Sequence, residues 1–199
     1  MKNTKTHMVV TALELFFKRG YGAVGTAELC RAAGINKGTF YHYFASKAAL
    51  LVAVINHYAD ELAVSFETVA RSSLSNAEKL TALFEVPERA NLEWRDLHGF
   101  AQGCLVGNMT LELGSTEPEV RAAALNALAR WKLAIRPILA ACRESQGRTK
   151  PSDYQLDSDE NRIMSLLQGG LLLAKAYDAP AHISAMAPIA LAMMATTEA

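Results

Sequence analysis

Apolar residues recur at intervals of three and four along most of the chain. Val9, Ala12, Leu13, Phe16 and Phe17 share one face of a first helix, which Gly20 stops. Thr26 is placed to cap a short second helix that runs to about Ala33, with Glu28 in its first turn and Gly34 at its end. Asn36 opens a third helix, and Ser46 opens a long fourth one that reaches about Val69. After Ser72-Ser73 the pattern restarts near Asn76 and runs to about Glu85, and the stretch Pro87 to Gly99 has no clear period. Further helices are expected at roughly 100–113, 117–146, 158–177 and 181–196, with Pro137 kinking the second of these and a polar loop over Gly147–Asp157. Glu117 and Glu119 flank Pro118, an arrangement of helix starts. No segment alternates as a strand does, so the expected fold class is all-α.

The second and third helices are about two turns each, joined through Gly34-Ile35-Asn36, which is a helix-turn-helix pattern. At about 100° per residue, Phe40, Tyr43 and Phe44 cluster as the buried face of the third helix, while Lys37, Gly38, Tyr41 and His42 cluster opposite and Thr39 sits at the edge. A glycine within a helix costs about 1 kcal/mol relative to alanine. Gly38 therefore suggests close approach of another backbone, surrounded by a cation, a phenol, an imidazole and a hydroxyl. Lys37 and Lys47 each follow a helix cap, Asn36 and Ser46. A cation at a helix start is disfavoured by up to about 1 kcal/mol unless an anion is near. The expected anion is the phosphate backbone of DNA, bound by the two lysines with the N–H groups of their helix starts, and Thr26 is placed to reach it from the second helix.

Charge distribution sharpens this reading. The 199-residue chain has zero formal net charge. Residues 1–47 nevertheless hold seven Lys/Arg against Glu14 and Glu28, a net of +5 that leaves −5 on the rest. A basic head on an acidic body fits a head that meets an anion. Three cysteines, Cys30, Cys104 and Cys142, lack metal-like spacing and suit a reduced, cytoplasmic protein. The N-terminus has no apolar signal-peptide core, and the run Ile163–Ala174 is too short to span a bilayer.

The stretch T-A-E-L-C-R-A-A-G-I-N-K-G-T-F-Y-H-Y-F-A-S-K-A-A-L, Thr26 to Leu50, resembles the DNA-binding signature of TetR-type transcriptional regulators. The resemblance implies a three-helix head over residues 1–47, a larger helical effector-binding and dimerisation body over 48–199, and a homodimer on a double-stranded operator. Carried over by position, Thr26, Lys37, Thr39, Tyr41, His42 and Lys47 face DNA, beside Gly38. Ala27 and Cys30 depart from the commoner choices, and Cys30 is expected to pack under the third helix. The family's last two helices form a four-helix bundle with those of the partner subunit. Gly169-Gly170 and the alanines 185, 187, 190, 192 and 195 fit such close helix packing.

In the body, G-C-L-V-G-N-M-T-L-E-L-G, Gly103 to Gly114, resembles the branch of the family that answers to electrophiles, oxidants or small unsaturated acids. Cys104, Gly107, Asn108 and Leu111 share a helical face, which marks Cys104 and Asn108 as candidates for an effector site. Trp131 is a candidate pocket wall, with Trp94 and His98 behind it. Lys175 shares a face with Gln168, Leu171 and Leu172 and is the candidate cation beside the thiol. Each has an ordinary alternative: a small buried hydrophobe for Cys104, a satisfied core amide for Asn108, aromatic core for Trp131, and a cation complementing a helix C-terminus for Lys175. An enzyme on a helical bundle is the rival class, yet the sequence carries no metal cluster, phosphate loop or nucleophile motif and calls for no cofactor. A helical adaptor without DNA affinity is the third. The leading expectation is a ligand- or electrophile-responsive repressor that binds a near-palindromic operator as a dimer.

Overall fold

The computed structural model describes residues 4–144 and 150–195. Among these residues the chain forms ten helices and no strand: α1 Thr4–Arg19, α2 Thr26–Ala32, α3 Lys37–Tyr43, α4 Lys47–Arg71, α5 Asn76–His98, α6 Leu105–Leu113, α7 Pro118–Glu144, α8 Asp153–Ala176, α9 Ala181–Ser184 and α10 Ala187–Ala195. Positions 145, 146 and 196, expected to end helices, and 147–149 of the expected loop lie outside the described residues. The chain groups into two compact units. One runs to Asp60 and takes in Leu105–Ala127, and the other comprises Glu61–Cys104 and the chain from Leu128 onward.

In the first unit, Met8, Val9, Ala12, Phe16 and Phe17 of α1 are buried, as are Phe40 of α3 and Phe44 just past its end. Leu50, Leu51, Val54 and Ile55 of α4 are completely buried. By length and composition α4 is apolar enough to cross a membrane, but this buried stripe makes it a core helix. The turn between α2 and α3 closes by two backbone bonds, Gly34 N–H to Arg31 O at 3.2 Å and Ile35 N–H to Cys30 O at 2.9 Å. That pairing needs a left-handed residue just past the helix, and Gly34 supplies it at φ 64°.

Two local expectations change here. The N-cap of α2 is Gly25, extended and without a side-chain cap bond, so Thr26 is the first helical residue rather than the cap. Tyr43, expected on the buried face, is 38% exposed and stacks edge-on against His42. It is the last residue of α3, where no further turn covers it.

In the second unit α5 continues through Pro87 to His98, and the helix expected to end near Glu85 does not end there. A capping box of Ser75 and Glu78 starts it, Gly99 in the left-handed region closes it, and Leu80, Leu83, Phe84 and Pro87 bury between. Burial of that face outweighs the hydrogen bond that Pro87 removes. The helix expected from residue 100 begins only at Leu105, because 100–104 form a strap pinned from outside. Asn91, buried, accepts from Gly103 N–H at 2.7 Å and donates to Gly103 O and Pro87 O. Asp178, at φ 51°, accepts from Ala101 N–H at 2.6 Å.

The helix expected over 158–177 starts five residues earlier, at Asp153, through a capping box of Ser152 and Gln155. Its acids meet α7: Arg136 bonds Asp153, Asp157 and Glu160 at 2.6–2.8 Å, and Arg143 grips Asp159 through two bonds at 2.7 and 2.9 Å. The carboxylates, Asp157 foremost, raise the pKa of Arg136 and keep it charged. The single helix expected over 181–196 is two, α9 and α10, with Ala185 and Met186 between them. Gly170 admits this corner: a Cβ there would lie 3.1 Å from His182 O and from Ile183 Cα.

The two arginine clusters differ in burial, and so in predicted effect. Asp159 is 1% exposed, so Asp159→Ala removes both of its bonds to a buried charge and is expected to destabilise by roughly 2–4 kcal/mol in urea titration. The Asp153 side chain is 95% exposed, and Asp153→Ala is expected to cost less than about 1 kcal/mol.

Candidate nucleic-acid interface

The exposed face of α3 is built by its cap. Asn36 Oδ1 accepts from Thr39 N–H at 2.8 Å and from the Thr39 hydroxyl at 3.1 Å, fixing the first turn. Phe40 is buried below and meets Tyr41 edge-on at 5.2 Å between centroids. Lys37, Gly38, Tyr41 and His42 are exposed together, with Thr39 half-buried at their edge. Tyr41, 55% exposed, presents its hydroxyl to solvent from a ring whose edge is anchored. Cys30, expected to pack under the third helix, is buried in α2.

Gly38 has a local explanation besides close approach. A Cβ at this position would lie 3.2 Å from Asn36 Oδ1, the cap acceptor itself. Glycine thus keeps the cap unstrained as well as the surface low.

Lys47 does not stand out in solvent. Its ammonium donates to Tyr21 O and Val24 O, each at 2.9 Å, and lies 3.8 Å from the centroid of the Tyr21 ring. Partial burial lowers its pKa, and Glu112 opposes that shift. Ser46 Oγ accepts Ala49 N–H at 3.0 Å, so one N–H at this helix start is already capped. Lys47 therefore braces the α1–α2 turn. Glu112 takes Tyr21 N–H at 3.1 Å and Gly22 N–H at 2.7 Å from the same turn. No sequence pattern singled out Glu112; the only hint is the R-G-Y-G turn, whose small residues leave room for an approaching group.

The four effector candidates divide between the two units. Asn108 lies on α6 in the first unit, while Cys104, Trp131 and Lys175 belong to the second. Trp131 is completely buried. Cys104, 4% exposed, precedes α6 instead of lying a turn inside it, and its Sγ accepts from Gln168 Nε2 at 3.6 Å. A Cβ on neighbouring Gly103 would come within 3.1 Å of Lys175 Cδ, so the lysine stem passes beside the residue next to the thiol. Gln168 and Lys175 thus share a face of α8 that meets the Cys104 strap. An open, mostly apolar groove of about 590 Å³ lies elsewhere in this unit, lined by Leu166, Gly169 and Leu173 of α8 with Met186 and Met193 beyond, and holds none of the four.

Residues 9–54 match the family model of bacterial regulatory proteins of the tetR family, and residues 77–189 match the tetracyclin repressor-like C-terminal domain. The transcriptional regulator AcuR of Cereibacter sphaeroides is 32% identical over 173 residues, covering 84% of this chain and 74% of that protein. The HTH-type transcriptional repressor NemR of Escherichia coli K12 is 30% identical over 122 residues, 61% of this chain and 59% of its own length. A regulatory protein TetR from Rhodobacter sphaeroides, solved by crystallography, superposes with a TM-score of 0.78 at 27% identity over 94% of this chain and 96% of that one. The chain belongs to the TetR family of DNA-binding transcriptional regulators, which are not enzymes.

Two substitutions probe the α3 face. Tyr41→Phe is expected to weaken operator binding by roughly 0.5–1.5 kcal/mol, the scale of one hydrogen bond, in a fluorescence-anisotropy titration. Gly38→Ala is expected to fold, its helix-propensity gain offset by crowding of Asn36, and to bind operator poorly. Parent-like affinity for Gly38→Ala would reduce Gly38 to a capping residue.

Proposed function

We propose that this regulator is a repressor that grips a near-palindromic operator as a homodimer and releases it when a small molecule or electrophile reaches Cys104. Residues 1–47 serve as the DNA-binding head and 48–199 as the effector-binding and dimerisation body, in the cytoplasm, with no membrane partner. Thr26, Lys37, Gly38, Thr39, Tyr41 and His42 form the DNA-facing surface. Lys47 stands behind that surface, with its remaining N–H available to a phosphate. The relative NemR is described as a repressor, which favours repression here.

The observation that carries the effector reading is the setting of Cys104. The thiol is buried on a strap pinned by Asn91 and Asp178, touched by Gln168, and one residue from the stem of Lys175. A thiol reacts with an electrophile as thiolate, which a nearby cation favours. With an activated alkene the thiolate sulfur forms a C–S bond as the C=C π bond breaks and the neighbouring carbon takes a proton from water; the adduct then sits on sulfur inside a packed strap, and the strap must move. At Cys142 burial pushes the thiol up to about 11, against the opposing field of Lys79. Asn108 and Trp131 remain candidates for shaping the effector site.

The dimer reading rests on the groove along α8 and α10. Gly169 has open space where a Cβ would go, whereas Gly170 packs inward on α9. Gly169→Asp is therefore expected to place a charge on the dimer face and give monomers in sedimentation, while Gly170→Asp disturbs folding within one subunit. A dimeric Gly169→Asp would locate the interface elsewhere.

The sensing claim is tested with N-ethylmaleimide. Cys104→Ser is expected to keep operator affinity within about twofold of the parent and to resist release by the reagent, while Cys30→Ser and Cys142→Ser are released as the parent is. Release of Cys104→Ser at the parent's reagent concentration would make Cys104 a packing residue.

A further inference from the structure

The turn from Gly20 to Gly25 links α1 to α2 and sets where the helix-turn-helix begins. Its backbone is held from both sides by opposite charges. Glu112, in the last turn of α6, takes the N–H groups of Tyr21 and Gly22, one with each carboxylate oxygen. Lys47, the first residue of α4, takes the carbonyls of Tyr21 and Val24. Arg19 completes the bracket from α1, bonding Ala23 O at 3.2 Å and ion-pairing with Glu28 of α2.

The carboxylate reaches this backbone because two residues lack side chains. A Cβ on Gly20 would lie 3.3 Å from Glu112 Oε2, and one on Gly22 would lie 3.3 Å from Oε1. Successive backbone N–H groups converging on one point make an anion site, and here the protein fills it with its own carboxylate. Glu112 and Lys47 also sense each other: the carboxylate's field opposes the shift that burial imposes on the ammonium.

We propose that Glu112 is a positioning residue for operator binding: from α6, outside residues 1–47, its carboxylate fixes the α1–α2 turn and with it the direction in which α2 and α3 meet DNA. The inference rests on the operator-binding reading above. It gives α6 a share in DNA recognition without any contact to DNA.

The test compares the full-length parent with Glu112→Gln and Glu112→Ala. Three quantities are read: amide exchange at Tyr21 and Gly22 without DNA, affinity for a duplex from upstream of the protein's own gene, and the salt dependence of that affinity. In Glu112→Ala both amides are expected to exchange at least about tenfold faster, and operator affinity to fall about tenfold, with an unchanged melting transition. Glu112→Gln, which keeps one acceptor oxygen, should fall between. The slope of log affinity against log salt should stay at the parent value, because no phosphate contact is lost. Parent-like operator affinity in Glu112→Ala overturns the proposal, whatever the amides do. So does a lowered salt slope, which would make Glu112 act through the phosphate contacts themselves. Should Glu112→Ala fail to fold, Glu112→Gln decides by the same readings. A parent that binds no duplex overturns the operator reading as well, and the parent titration alone distinguishes that failure from failure of the clamp.

Discussion

Two helices of seven residues each cannot stand alone in water, where isolated helices shorter than about 12–15 residues are marginal. Recognition by α2 and α3 therefore depends on support from outside them. Phe40 and Phe44 anchor one side of α3 in the core. The Gly34 turn fixes α3 to α2, and the bracket of Arg19, Lys47 and Glu112 fixes the turn that enters α2. With one face anchored, the opposite face is free to carry Lys37, Gly38, Tyr41 and His42 in solvent. A surface of donors that are exposed yet rigid suits phosphate binding, because little order remains to be imposed when DNA arrives.

Much of the head was legible because its determinants are local. The cap at Asn36, the stop at Gly34 and the buried pair Phe40 and Phe44 are each read within a few residues. The misplaced cap at Thr26 was a one-residue error of a kind that hydroxyl propensity cannot settle, since Gly25 holds the required extended backbone. Lys47 has partners that no local pattern shows. A lysine after a helix cap looks solvent-directed in sequence, but its acceptors, Tyr21 O and Val24 O, lie more than twenty residues away. Glu112 was invisible for the same reason, with its partners some ninety residues distant.

The body shows the same division. The α5 capping box was there to be read in Ser75 and Glu78, yet the stretch from Pro87 has no clear period, and its continuation in the helix shows only in the buried face it shares. The early start of α8 was written in Ser152 and Gln155, but its acids make sense only against Arg136 and Arg143 on another helix. Cys104 and Lys175 were paired from shared chemistry; Gln168 bonds the thiol, and the Lys175 stem passes beside Gly103 next to it. Trp131 is completely buried in the second unit and Asn108 lies on α6 in the first, and a wheel drawn on one helix cannot tell which neighbour a face meets.

An α3 face that reads an operator in duplicate, as proposed, requires binding that is sequence-specific and salt-dependent. The most direct measurement is a titration of the purified protein against the duplex upstream of its own gene, across a range of salt and against an unrelated duplex. Specific binding with two half-sites about 34–36 Å apart, and an affinity that falls steeply and linearly in log salt, is the predicted result. Equal affinity for both duplexes, or binding indifferent to salt, would contradict it.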